Sequence, residues 1–155
     1  MTSCAPDGRP PDLMFLLSWA SQALTSEHAA GLAEVGISPR AHCILLRAQS
    51  GGLTQRQLGD LCGIDKTTMV VTLDQLEAAG LVRRQPSPTD RRARLVAVTP
   101  QGEEVLRRAQ EVAARIQQDV LEALPEPDRT AFLDAIGVLV AGRLAGGQRG
   151  PARGC

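Results

Sequence analysis

The chain has 155 residues, 43% of them apolar and 22% charged, with 17 basic residues against 17 acidic ones. These values suit one soluble globular domain with a real core, and the neutral balance leaves only local charge to say anything about partners. Tyr is absent and Phe15, Trp19 and Phe132 are the only other aromatics apart from histidine, so the core must be Leu, Val, Ile, Ala and Met, a mixture that predicts a mostly helical fold.

Residues 1–11 are rich in Pro, Gly and small polar residues, as is the stretch 146–155, and both read as disordered ends. The apolar stretch Leu13–Leu17 is too short for a membrane span and lacks the basic flank of a signal peptide, so no membrane partner is expected and the protein reads as cytoplasmic. Cys4, Cys43, Cys62 and Cys155 are scattered without a Cys-x-x-Cys, which fits reduced structural thiols better than a disulfide framework.

A first helix is expected over about 12–33, apolar on more than one side at its start (Leu13, Met14, Phe15, Leu16, Leu17, Trp19). Ser38-Pro39 marks a second helix start, a cap followed by proline where a missing amide does no harm. Thr54-Gln55-Arg56-Gln57 has the spacing of a capping box and starts a third helix. Asp65 caps a fourth, which Gly80 closes as a left-handed residue with Leu81 folding back. Leu81–Arg84 and Leu95–Val98 read as two short strands, and Thr99-Pro100 starts a fifth helix over about 100–122. After a break at Pro125-Glu126-Pro127, Phe132–Leu144 is apolar nearly all round. The expected fold is therefore six helices with a β-hairpin, an α+β winged helix. Residues 12–37 and 100–145 would form a helical dimerisation region, because their surplus apolar faces suit an intermolecular bundle, and 38–99 a DNA-binding lobe.

Residues 54–79 have helix-turn-helix spacing, with Gly63 in the turn and small Gly59 where the helices approach. On a helical wheel the second helix of the pair turns Met69, Val70, Leu73 and Leu76 to the core and Thr67, Thr68, Val71, Thr72 and Gln75 outward. That outward face is short and uncharged. It can enter a major groove, where threonine and glutamine reach base edges and a valine meets a thymine methyl. Lys66 and Arg56, charged near the two helix starts, are expected on phosphate. Between Arg83 and Arg94 stand five arginines and one acid, Asp90. A basic hairpin directly after such a helix is a wing, with Arg91, Arg92 and Arg94 on phosphate or in the minor groove and Asp90 bracing the loop by pairing with an arginine.

Asp65-Lys66-Thr67-Thr68-Met69, Leu76-Glu77-Ala78-Ala79-Gly80-Leu81-Val82, Pro88-Thr89-Asp90-Arg91-Arg92-Ala93 and Val98-Thr99-Pro100-Gln101-Gly102 together resemble the MarR family of bacterial regulators, over about residues 12–145. The resemblance implies a triangular homodimer whose terminal helices interlock, each lobe reading half of a pseudo-palindromic double-stranded DNA operator. It further implies repression released or modulated by a small effector in a cleft between the dimer helices and the lobe, near Trp19, His42 and Leu46.

Two alternatives keep the same fold and one belongs to another class. A zinc-responsive site would draw on His28, His42 and Cys43, with Glu27 or Glu34 completing the set, but a His-Cys pair more often packs than binds metal, so no cofactor is expected to be required. Redox sensing would need an activated thiolate; the resembled sensors pair an early cysteine with tyrosines, whereas Cys4 lies in the loose leader and the chain has no Tyr. An enzyme would need a convergent nucleophile, base or acid pair, and no such constellation is visible, so catalysis is not expected.

Overall fold

The computed structural model describes residues 12–88, 90 and 93–145. In chain order they form α1 (Leu13–Glu34), α2 (Pro39–Ala48), α3 (Gln55–Cys62), α4 (Lys66–Ala78), β1 (Val82–Pro86), β2 (Arg94–Val98), α5 (Pro100–Glu122) and α6 (Glu126–Ala141). The mostly helical architecture with one hairpin is the one expected. The two ends read as disordered lie outside the described residues.

Local chemistry accounts for the helix starts. Ser38 Oγ accepts from the Ala41 amide at 3.2 Å ahead of Pro39, and Asp65 Oδ1 accepts from the Thr68 amide at 3.0 Å. Thr54 and Gln57 satisfy each other's amides at 3.2 and 2.9 Å, the reciprocal box the spacing predicted. At the far end of α4, Gly80 sits at φ +72° and the Leu81 amide reaches back to the Leu76 carbonyl at 2.9 Å, which turns the chain directly into β1.

Both ends of α6 and the limits of the strands differ from expectation. α6 begins at Glu126, not after the Pro-Glu-Pro segment, because Pro127 falls in the first turn, where its missing amide costs nothing. It ends at Ala141, short of Leu144. The strands run further toward the tip than expected and pair antiparallel from Val82 opposite Val98 to Pro86 opposite Arg94. The Ser87 amide, donating to the Ala93 carbonyl at 3.1 Å, closes the tip. Leu95, one pair in from the tip end of the strands, also bridges Thr54, so the outer edge of β2 is tied to the entry of α3.

Leu32, Ile44, Leu45, Leu58, Met69, Leu73, Val96 and Leu106 are fully buried and draw α1 to α5 and the hairpin around one core. α6 contributes no buried residue. Its Phe132, Leu133, Val138 and Val140 stand exposed, as do Leu13, Met14, Phe15, Leu16 and Trp19 at the start of α1. The chain thus carries two apolar helix surfaces that its own core does not use.

Candidate nucleic-acid interface

α3 and α4 meet at a tight turn through Gly63, at φ +63°, with the Ile64 amide bonded to the Gly59 carbonyl at 2.9 Å. This pair presents α4 at the surface of the lobe. Val71 is 51% exposed, and Thr67 and Gln75 are exposed on the same face. Thr68 is half-buried and spends its hydroxyl proton on Asp65 Oδ2 at 2.6 Å. Its oxygen remains as an acceptor.

Thr72 departs from the expected face. It is only 7% exposed, and its hydroxyl donates to the Thr68 carbonyl at 2.8 Å. Thr72 lies roughly 40° around the helix from Leu76, closer than Val70 lies to Leu73, so the buried stripe is rotated toward Thr72. Val70 is correspondingly only half-buried. α4 packs against α2, α3 and β1, and the side it buries among them includes Thr72. The groups left open on α4 are therefore the Thr67 hydroxyl, the Val71 methyls and the Gln75 amide.

Arg56, Lys66 and Arg94 come together around one groove. With Thr54, Gln55 and Asp60 they line a groove of about 820 Å3 between the starts of α3 and α4 and the hairpin. Three cations border it against Asp60 and Asp90, a local positive excess suited to a phosphate backbone. Asp90 holds the tip through its backbone, its amide donating to Ser87 Oγ at 3.3 Å and its carbonyl accepting from Ala93 at 3.0 Å. Arg91 and Arg92 lie outside the described residues.

Arg84 belongs to the basic segment by sequence but plays another part. Its guanidinium lies 2.6 Å from both Asp74 and Glu77, and its amide donates to Glu77 Oε1 at 2.9 Å. The hydrogen bonds from Arg84 hold the Glu77 carboxyl below its ordinary range. Arg84 thus fastens β1 to α4. No sequence signal separates it from Arg83; the pairing follows from the sharp turn at Gly80.

Residues 35–93 match the MarR family, and the segment holds α2, the helix-turn-helix and the first strand of the hairpin. The transcriptional repressor CouR, solved on a 23-mer DNA duplex, superposes with a TM-score of 0.71 at 28% identity, over 83% of this chain and 92% of that one. The chain is similar to the MarR family over this segment and shares the fold of its solved members. CouR from Rhodococcus jostii RHA1 bound to p-coumaroyl-CoA is similar at a TM-score of 0.65 and 27% identity, over 88% of this chain and 95% of that one. A Thauera aromatica protein assigned to transcriptional regulation of the hcr operon is 34% identical over 99 residues, 63% of this chain. The match spans 60% of that relative's length.

The residues that the resemblance places at an effector cleft are not gathered into one. A cavity of about 460 Å3 opens between α1, the start of α2, α5 and α6, lined by Leu24, Thr25, His28, Ile116, Val120 and Phe132 among others. Trp19, His42 and Leu46 are not part of its wall. Trp19 is 66% exposed beside Phe15, ring centres 5.9 Å apart, in the unused apolar surface of α1, and Leu46 is exposed on α2.

The helix packing does bring His28 and His42 edge to face, with ring centroids 5.4 Å apart. Both Nε2 atoms are buried without a hydrogen-bond partner among the described residues. Burial, with the charge of His28 second, lowers the His42 pKa. Cys43 faces the core instead, and among the described residues no group of three or more His, Cys, Asp or Glu side chains is placed to hold a metal ion. The residues considered for zinc therefore supply at most a pair. No helix of the described residues is long and apolar enough to cross a membrane.

Proposed function

We propose that this chain is a homodimeric, cytoplasmic transcriptional regulator that binds double-stranded DNA in a sequence-specific way, a repressor whose hold on its operator is released or modulated by a small effector. The observation that carries this reading is the outward face of α4: Thr67, Val71 and Gln75 stand open and uncharged beside a groove bordered by Arg56, Lys66 and Arg94. Uncharged donors, acceptors and methyls suit base edges, and the neighbouring cations suit the phosphates beside them, so one docking pose satisfies both. The CouR complex with a duplex supports the same use of the fold. Function then lies in occupancy of DNA, with no catalytic step.

The exposed apolar surfaces of α1 and α6 support the dimer, since a second copy covers them by the same contacts in both directions. Two lobes held this way read two half-sites about 34–36 Å apart, one helical turn. The cavity between α1, α2, α5 and α6 joins the helices of the dimer to the lobe, so a ligand preferring one lobe spacing would shift the population toward it. CouR's complex with p-coumaroyl-CoA supports the same use of the fold for a ligand.

The test is selection of bound duplexes from a randomised pool, followed by affinity measurement on the winner and on a scrambled duplex. A two-half-site sequence bound at least about a thousandfold more tightly than the scramble is expected. Equal affinity for both, or none for either, would overturn the reading.

A further inference from the structure

The wing-side groove is one of two that border α4. A second, of about 560 Å3, runs along the opposite edge of the same helix, between Thr67, Thr68, Val71 and Gln75 on one wall and Ser38, Pro39 and Arg40 on the other. Among the described residues Arg40 is the sole charged one lining it. It is exposed and forms no ion pair with any described residue, in contrast to Arg84, which is tied to Asp74 and Glu77. Its backbone position is rigid. Ser38 caps the helix that carries it, and Ala41, Cys43, Ile44 and Leu45 anchor that helix in the core beside α4.

A helix lying in the major groove has a phosphate backbone on each side, about 12 Å apart. Arg56, Lys66 and Arg94 all line the groove on one side of α4, toward one of those backbones. The other must pass along the Arg40 groove, where no carboxylate of the described residues lines the wall to repel it. We infer that Arg40 binds a phosphate of the second strand, so that α2 and the wing-side cations form a two-sided clamp that sets the depth and register of α4. Arg40 is a positioning residue here. It carries no base information but holds Thr67, Val71 and Gln75 against the bases they read. The inference rests on the DNA-binding reading above.

The experiment compares the full-length wild-type chain with Arg40→Gln, Arg40→Lys and Arg56→Gln. The first probe is a mixed-sequence duplex of about three helical turns, because phosphate contacts do not depend on sequence. Arg40→Gln should flatten the plot of log affinity against log salt by about 0.9 for each protomer bound, and Arg40→Lys should restore it. The second probe is the selected duplex with neutral methylphosphonate linkages introduced one at a time. Arg40→Gln should lose sensitivity at phosphates flanking the recognised groove on one side and Arg56→Gln at those on the other. An unchanged slope for Arg40→Gln, or loss of the same phosphates as Arg56→Gln, overturns the clamp while leaving DNA binding standing. A wild-type chain that binds neither duplex overturns the regulator reading itself, and the clamp with it.

Discussion

A methyl group added at Gly102 would stand 2.1 Å from the Leu81 carbonyl oxygen and 2.8 Å from Val98 Cγ1. The carbonyl cannot swing aside, because it accepts from the Thr99 amide at 3.0 Å, and Thr99 Oγ1 donates to the neighbouring Gly80 carbonyl at 2.6 Å. Relief therefore needs a backbone displacement of about 1 Å between the first turn of α5 and the exit of α4. Gly31→Ala is the matched comparison. Its methyl would meet Val112 Cγ1 at 2.4 Å, a side chain that can turn at a cost of about 0.5–1.5 kcal/mol. Gly102→Ala should then reach or exceed the upper end of the ~1–3 kcal/mol typical of overpacked sites, and Gly31→Ala should fall below it. For a chain of this size ~3 kcal/mol lowers the melting temperature by roughly 6–12 °C. Circular dichroism melts at one fixed protein concentration measure both, since a dimer's apparent stability depends on concentration. Gly102→Ala should also weaken operator binding below its melting point, because the displaced segment carries the hairpin. If Gly102→Ala melts within a degree or two of the wild type, or if Gly31→Ala is the more damaging of the two, the close approach described here is wrong.

Gln75→Ala should relax preference at particular base pairs by ~1–3 kcal/mol, whereas Thr72→Val, which keeps the buried shape and loses only a hydroxyl bonded to its own helix, should leave the selected sequence unchanged; reselection of duplexes with each variant checks this. Arg94→Gln should flatten the salt dependence of DNA affinity by about 0.9 for each phosphate it no longer neutralises, while Arg84→Gln, whose charge already serves Asp74 and Glu77, should weaken binding without changing the slope. Phe15→Glu combined with Trp19→Glu should yield monomers in light scattering at micromolar protein, where the wild type should be a dimer, because two charges would then sit in the apolar surface of α1. His42 has a lowered pKa when folded, so as pH falls the unfolded chain takes up the proton first. Its contribution to stability is full above about pH 6.5 and declines as the pH drops through the folded value, and His42→Gln should flatten that decline in the urea midpoint between about pH 7.5 and 5.5.

What could be read from the residues in order was local chemistry. Ser38-Pro39, the Thr54–Gln57 box, Asp65, Gly80 and Thr99-Pro100 act on amides and carbonyls within a few residues of themselves, and every one performs the capping or turning expected of it. The run of uncharged residues on α4, and the arginines after it, belong to the same kind of information. Tertiary packing decided the rest, because it depends on which elements meet. The packing of α4 among α2, α3 and β1 rotates the buried stripe enough to bury Thr72 and free part of Val70, a difference a helical wheel centred on Leu73 cannot resolve. The turn at Gly80 takes Arg84 from the pool of cations and gives it to Asp74 and Glu77. His28 and His42, far apart along the chain, become neighbours only when α1 crosses α2, and Arg40 reaches the edge of α4 only because the core holds its helix there. Short-range hydrogen bonds are legible in a sequence because both partners are in view at once; a side chain's neighbours across the core are not, and those neighbours determine which of several equivalent threonines or arginines remains open to DNA.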